Sequence, residues 1–152
     1  GLSPAQTGVA FASAMLIGSV GQPLIGRISD RTGRVGIFAV GSVTAAALTA
    51  GALVIDSPLG TIALLTGAMG VLVAIRSSVL AMAVDYVSGR EATALGFIFV
   101  MLDGVGALGA VLAGVVGDFS LHYSFVLASG LSLASVGIIT VAFRRNSRAP
   151  HE

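Results

Sequence analysis

The chain has no cysteine and no tryptophan, its cations are all arginine, and only 10% of its 152 residues are charged. Each shortage excludes something. Without cysteine there is no disulfide scaffold, no thiolate metal site and no thiol nucleophile. A soluble domain carries about a quarter charged residues, so an ordinary water-soluble globule is ruled out. The eight arginines give a net charge of only +1. That is not the clustered basic face that nucleic-acid binding requires. No His/Asp/Glu group has metal-ligand spacing, and no nucleophile–base arrangement suggests an enzyme. No cofactor is expected.

What is present is apolar. Hydrophobic residues make up 55% of the chain, mean hydropathy is +0.99, and there are 21 glycines. Glycine-rich apolar sequence suits membrane helices that pack closely. A bilayer core about 30 Å thick takes about 20 apolar residues in helix, and five runs qualify: 4–26, 34–55, 58–86, 91–117 and 121–143. None alternates as a barrel strand would. The expectation is an all-α integral membrane protein, a single transmembrane domain of five helices in the lipid bilayer with a tail over 144–152. Short connections between long helices give antiparallel neighbours. The longest connection expected runs from Arg27 to Gly33.

Local signals fall at the breaks in hydropathy. Ser3-Pro4-Ala5-Gln6 places a capping serine before proline, with glutamine completing a capping box. Ser57-Pro58 repeats the start, and Ser88-Gly89-Arg90-Glu91 is a second capping box. Seven of the eight arginines (Arg27, Arg31, Arg34, Arg90, Arg144, Arg145 and Arg148) fall on one side of a five-span chain. By the positive-inside rule that side is cytoplasmic, with the N-terminus outside and the C-terminus inside. Tyr86 and Tyr123 sit at span ends, as interfacial aromatics do. An outside N-terminus without an initiator Met or a basic leader suggests that upstream sequence is missing.

The first inside connection reads Gly26-Arg27-Ile28-Ser29-Asp30-Arg31-Thr32-Gly33-Arg34, or G-x-x-x-D-R-x-G-R. A carboxylate at Asp30 can accept from Arg31 and Arg34 and face the positive end of another helix. Gly26 and Gly33 permit close approach and a tight turn. Lacking Lys-Ser/Thr and a preceding strand, the segment is no phosphate-binding loop. It resembles the cytoplasmic loop motif of the major facilitator superfamily of secondary transporters, where the motif joins helices 2 and 3 and a more variable copy joins helices 8 and 9. The resemblance implies a latch across the two halves of a transporter. On its residues alone, the segment also fits a plain positive loop that only fixes orientation.

The resemblance covers almost the whole chain and implies five helices of a six-helix half. In the first half of the family an intramembrane Arg is often followed by Gly four residues on, and here Arg76 is followed by Leu80. Efflux members carry Gly-Pro in the fifth helix, and here Gly109 is followed by Ala110. Both departures favour helices 8–12, the C-terminal half, and weaken an antiporter reading.

Ionisable groups inside a span are functional hypotheses by default. Arg76 in the third helix and Asp103 in the fourth lie roughly 15–18 Å from the inner ends at 1.5 Å per residue, so they can pair. Facing a cavity, Arg76 binds an anionic solute group or biases protonation of Asp103, and Asp103 is a solute ligand or coupling carboxylate. A permanent pair would only fix the bundle. Gln22, before Pro23, either lines the pathway or bonds to a neighbouring helix. Asp85 with Arg90 reads as an interfacial cap, and His122 as an interfacial residue. Helices 2 and 5, without mid-span charge, are expected in the outer layer. Gly106, Ala110 and Gly114, with Gly109, Ala113 and Gly117, form two rows of small residues on helix 4, suited to tight helix packing or to sliding.

The expected function is part of a secondary transporter in the plasma membrane, moving a small solute by alternating access, with possible proton coupling and the remaining half of the same transporter as partner. The alternatives are a non-transporting membrane scaffold and a half-size protein that dimerises.

Overall fold

The computed structural model describes residues 3–85 and 91–146. The chain forms five helices, α1 (Pro4–Thr32), α2 (Arg34–Gly51), α3 (Pro58–Asp85), α4 (Glu91–Phe119) and α5 (Leu121–Asn146), and no strand occurs among the described residues. All five contain segments long and apolar enough to cross a membrane. The helix α1 starts at the expected capping box. Ser3 Oγ accepts from the Gln6 N–H at 3.3 Å, Gln6 Oε1 accepts from the Ser3 N–H at 3.0 Å, and Pro4 occupies the first turn. Ser57 Oγ accepts from the Gly60 N–H at the start of α3. The third start, Ser88 to Arg90, lies outside the described residues.

The connection expected over Arg27–Gly33 is corrected to a single residue. Helix α1 continues through the arginine-rich segment to Thr32, and only Gly33 leaves helical geometry, with φ 99° and ψ 127°. No breaker stands between Arg27 and Thr32, and Arg31 in the last turn suits the negative helix end. Glycine at positive φ then stops the helix. With 29 residues, α1 is about 43 Å long, so one end projects beyond a core of about 30 Å. Helix α2 ends at Gly51 rather than at residue 55. A tight turn over Ala52–Val54 follows, with Leu53 N–H on the Ala50 carbonyl at 3.0 Å. Helices α4 and α5 each run a little past the expected span.

Helix α1 packs chiefly on α3, α2 lies between α3 and α5, and α4 leans on α5 with a shorter contact to α3. The buried apolar residues are mostly small: Ala14, Ala45, Ala46, Ala52 and Ala68, with Ile75. Large residues such as Leu16, Val20, Leu24, Leu108 and Ile138 face outward. That is the membrane pattern, in which close backbone approach, rather than escape from water, holds helices together. At Gly18 a Cβ would stand 2.8 Å from the Gly70 carbonyl oxygen and closer still to Val73; at Gly41 it would overlap Ile75. The expected place of α2 in the outer layer is therefore corrected. Gly41, Ser42, Ala45 and Ala46 give α2 a buried face, whereas no residue in the apolar segments of α4 and α5 is buried.

Candidate functional site

The intramembrane charges meet. Arg76 Nη2 donates to Asp103 Oδ1 at 3.0 Å. The Arg76 guanidinium also lies over the Phe99 ring, 5.5 Å from its centroid. Phe99 and Asp103 are four residues apart on α4 and so share a face, which places a cation–π contact beside the ion pair. The pair is not sealed. Side-chain exposure is 40% for Arg76 and 69% for Asp103, so another charged group can reach either partner.

The pair borders a cleft of about 620 Å³ to which α2, α3, α4 and α5 all contribute. Phe38 and Leu72 supply apolar wall, and Ser42, Ser132 and Ser135 bring hydroxyls. Ser135 Oγ donates to the Ser132 carbonyl at 2.7 Å, one turn earlier in α5. The cleft thus brings together one cation, one carboxylate, one aromatic face and a few hydroxyls in an apolar frame, the kind of lining that small-molecule sites use. Sequence reasoning reached Arg76 and Asp103 through depth. It missed Phe99, although the Phe99-x-x-x-Asp103 spacing was available, and it missed the serines, which share no motif.

Gln22 takes the second of its two expected roles. Its Nε2 donates to the Val73 carbonyl of α3 at 3.2 Å, and Ser77 Oγ donates back to the Gln22 carbonyl at 3.4 Å. Gln22 thus binds two helices together and does not line the cleft beside Arg76. Further along the same seam, Gly26 lies opposite Ser77, and the Ser29 and Ser78 hydroxyls are buried without a partner.

In the arginine-rich segment, Arg34 Nη2 donates to Asp30 Oδ1 at 3.3 Å, and Arg34 Nη1 donates to the Ala81 carbonyl of α3 at 2.7 Å. Arg34 therefore ties the start of α2 to the end of α1 and to α3. Arg31 does not join this cluster: among the described residues, no carboxylate pairs with Arg31. Asp85 side-chain contacts and Arg90 lie outside the described residues, as does Tyr86. Tyr123 and His122 are exposed at the start of α5, their rings edge to face.

The two small-residue rows of α4 differ. Ser124 Oγ donates to the Ala113 carbonyl at 3.0 Å and lies 3.3 Å from where a Cβ on Gly117 would stand, so that end packs on α5. Among the described residues nothing lies within 4 Å of a Cβ at Gly106, Gly109 or Gly114. Ala110 beside them is exposed.

Five helices long and apolar enough to cross a membrane define the class of polytopic membrane proteins. Within it, the chain belongs to the Major Facilitator Superfamily, whose family profile matches residues 1–152. Comparison with curated proteins and with solved structures gives no match. Members of this superfamily are secondary transporters rather than enzymes; they sit in the bilayer as multi-pass proteins and bind small solutes.

Proposed function

We propose that this chain forms part of the translocation pathway of a secondary transporter, with Arg76 and Asp103 at the solute site. The supporting observation is the 3.0 Å pair between α3 and α4, open to a cleft shared by four helices. Burying ionisable groups in a span is costly, by about 2.5–3.5 kcal/mol each on insertion scales. A pair that served only to fix the bundle would gain from being closed off, and this one is open. A solute anion competes with Asp103 for Arg76, and a solute cation competes with Arg76 for Asp103. Displacement changes the local charge and gives the solute a differential hold on two conformations. Release of Asp103 from Arg76 also frees a carboxylate to carry a coupling proton.

In this reading α1–α5 rock as one body against the other half of the transporter around a midplane site. The Gly33 joint faces the cytoplasm, as the arginine distribution indicates. The Asp30–Arg34 link keeps the adjoining ends of α1 and α2 together as that body moves. The membrane is the plasma membrane, with the first helix entering from outside.

The test uses vesicles holding the complete transporter and a panel of radiolabelled solutes driven by a proton gradient. Asp103→Asn is expected to lose gradient-driven transport at least tenfold while retaining solute exchange. Arg76→Gln is expected to lose both. Wild-type transport in both variants, at equal protein in the vesicles, would overturn the assignment.

A further inference from the structure

The pair of Arg76 and Asp103 spends little of its bonding capacity on itself. Arg76 donates through Nη2 and Asp103 accepts through Oδ1, at 3.0 Å, and among the described residues neither side chain makes another hydrogen bond. A guanidinium carries further N–H donors in its plane, and a carboxylate has a second oxygen. The Phe99 ring lies against the guanidinium carbon and consumes none of those donors. Both partners are open, Asp103 more than Arg76. The cleft therefore presents a positive donor edge and a negative acceptor edge side by side.

Such an edge selects its ligand by sign. A lone anion that reaches Arg76 also meets Asp103, and a lone cation that reaches Asp103 also meets Arg76. The like charge opposes each approach. If either displaced its rival, one charge of the pair would stay behind in an apolar frame without a partner. A solute with a carboxylate and an ammonium on neighbouring atoms competes for both partners at once and leaves no charge uncompensated. We infer that the solute is a zwitterion of the α-amino-acid type, with its carboxylate on Arg76, its ammonium on Asp103 and an apolar side chain. The inference rests on the solute-site reading above and narrows it to one chemical class. The walls assign the side chain, because Phe38, Leu72, Val79 and Leu102 line the same cleft. Ser135 Oγ commits its proton to the Ser132 carbonyl and keeps its oxygen as an acceptor for an ammonium hydrogen. A cleft of about 620 Å³ lies within the range of small-molecule pockets, roughly 300–1,000 Å³. It takes a branched or aromatic side chain together with the head group.

The test is equilibrium binding to the complete transporter in detergent, by isothermal titration calorimetry, with two sets of probes that share a body and differ in charge. One set is phenylalanine, hydrocinnamate and phenethylamine; the other is leucine, isocaproate and isoamylamine. In at least one set the zwitterion is expected to bind at least about tenfold tighter than both single-charge probes, since each of those forfeits a charge-assisted contact. Arg76→Gln is expected to bring the zwitterion within about threefold of the amine, and Asp103→Asn within about threefold of the carboxylate. A merely structural pair would weaken all three probes alike. Binding of the carboxylate or the amine as tightly as the zwitterion in wild type, or of neither zwitterion, would overturn the inference. If a single-charge probe then still depends on Arg76 or Asp103, the solute site itself stands. Ratios unchanged in both variants would overturn the site and the inference together. The wild-type ratios decide the class by themselves, so a variant that fails to fold leaves the test intact.

Discussion

The seam between α1 and α3 and the open face of α4 are built from similar residues and do opposite things. Both carry glycine and alanine at helical spacing. In the seam, Gly18 meets Gly70 and Val73 at backbone range, and side chains cross the gap to main-chain carbonyls: Gln22 to Val73, Ser77 to Gln22, and Arg34, from the start of α2, to Ala81. On α4, Gly106 and Gly114 meet nothing among the described residues, and the polar link to α3 is one exposed ion pair. The lesson is that small residues license an approach without causing one. What distinguishes the seam is that its polar side chains reach main-chain carbonyls of a neighbouring helix at part-buried positions. The pair on α4 is exposed and open to exchange, as the proposed solute site requires.

This contrast can be broken most severely at Gly18. Gly18→Leu must displace Val73 and the Gly70 backbone, whereas Gly114→Leu fills open space. Thermal melting in detergent should show Gly18→Leu less stable by about 3 kcal/mol or more, near the upper end of overpacking costs. Gly114→Leu should stay within about 0.5 kcal/mol. Equal damage at both positions would mean that a further helix lies against α4. The next effect is Gln22→Leu, which removes the Val73 contact while keeping the side-chain volume. Cross-helix bonds in membranes average about 0.6 kcal/mol and reach about 1.7 kcal/mol, so a loss of about 1 kcal/mol in the same melt is expected. A neutral result would show that the seam rests on packing alone. The smallest expected effect is Asp30→Asn, because Asp30 is largely exposed and such pairs contribute roughly 0–1 kcal/mol. Arg34→Gln should cost more than Asp30→Asn, since it also loses the Ala81 carbonyl, and the reverse order would sink the tie proposed for Arg34.

The number of helices was legible because hydropathy over 20 residues is a strong signal in a bilayer. The Arg76–Asp103 pair was legible because equal depth on consecutive antiparallel helices leaves few other partners. The course of α1 through Arg27–Thr32 was not. Charged residues end an apolar run without ending a helix, and only Gly33 supplies a stop. The close-packed glycines were missed for a related reason. Ala10, Ala14 and Gly18 form a small-residue row on α1 as long as those on α4, Gly70 and Ala74 make a pair on α3, and spacing alone does not set them apart. Periodicity tells which residues share a face and not which face meets another helix. The position of α2 was misread for the same reason, since an absence of charge says nothing about burial.

Between Thr32 and Arg34 the chain has one residue outside helical geometry. Any swing of α2 relative to α1 that leaves both helices intact must therefore be carried by the two torsion angles of Gly33. A hinge of several residues would spread such a motion over many bonds and blur it. Here a single backbone site acts as the gauge of the whole movement. One isotopically labelled glycine, followed by its carbonyl shift as conditions change, would report the angle between two 18- to 29-residue rods.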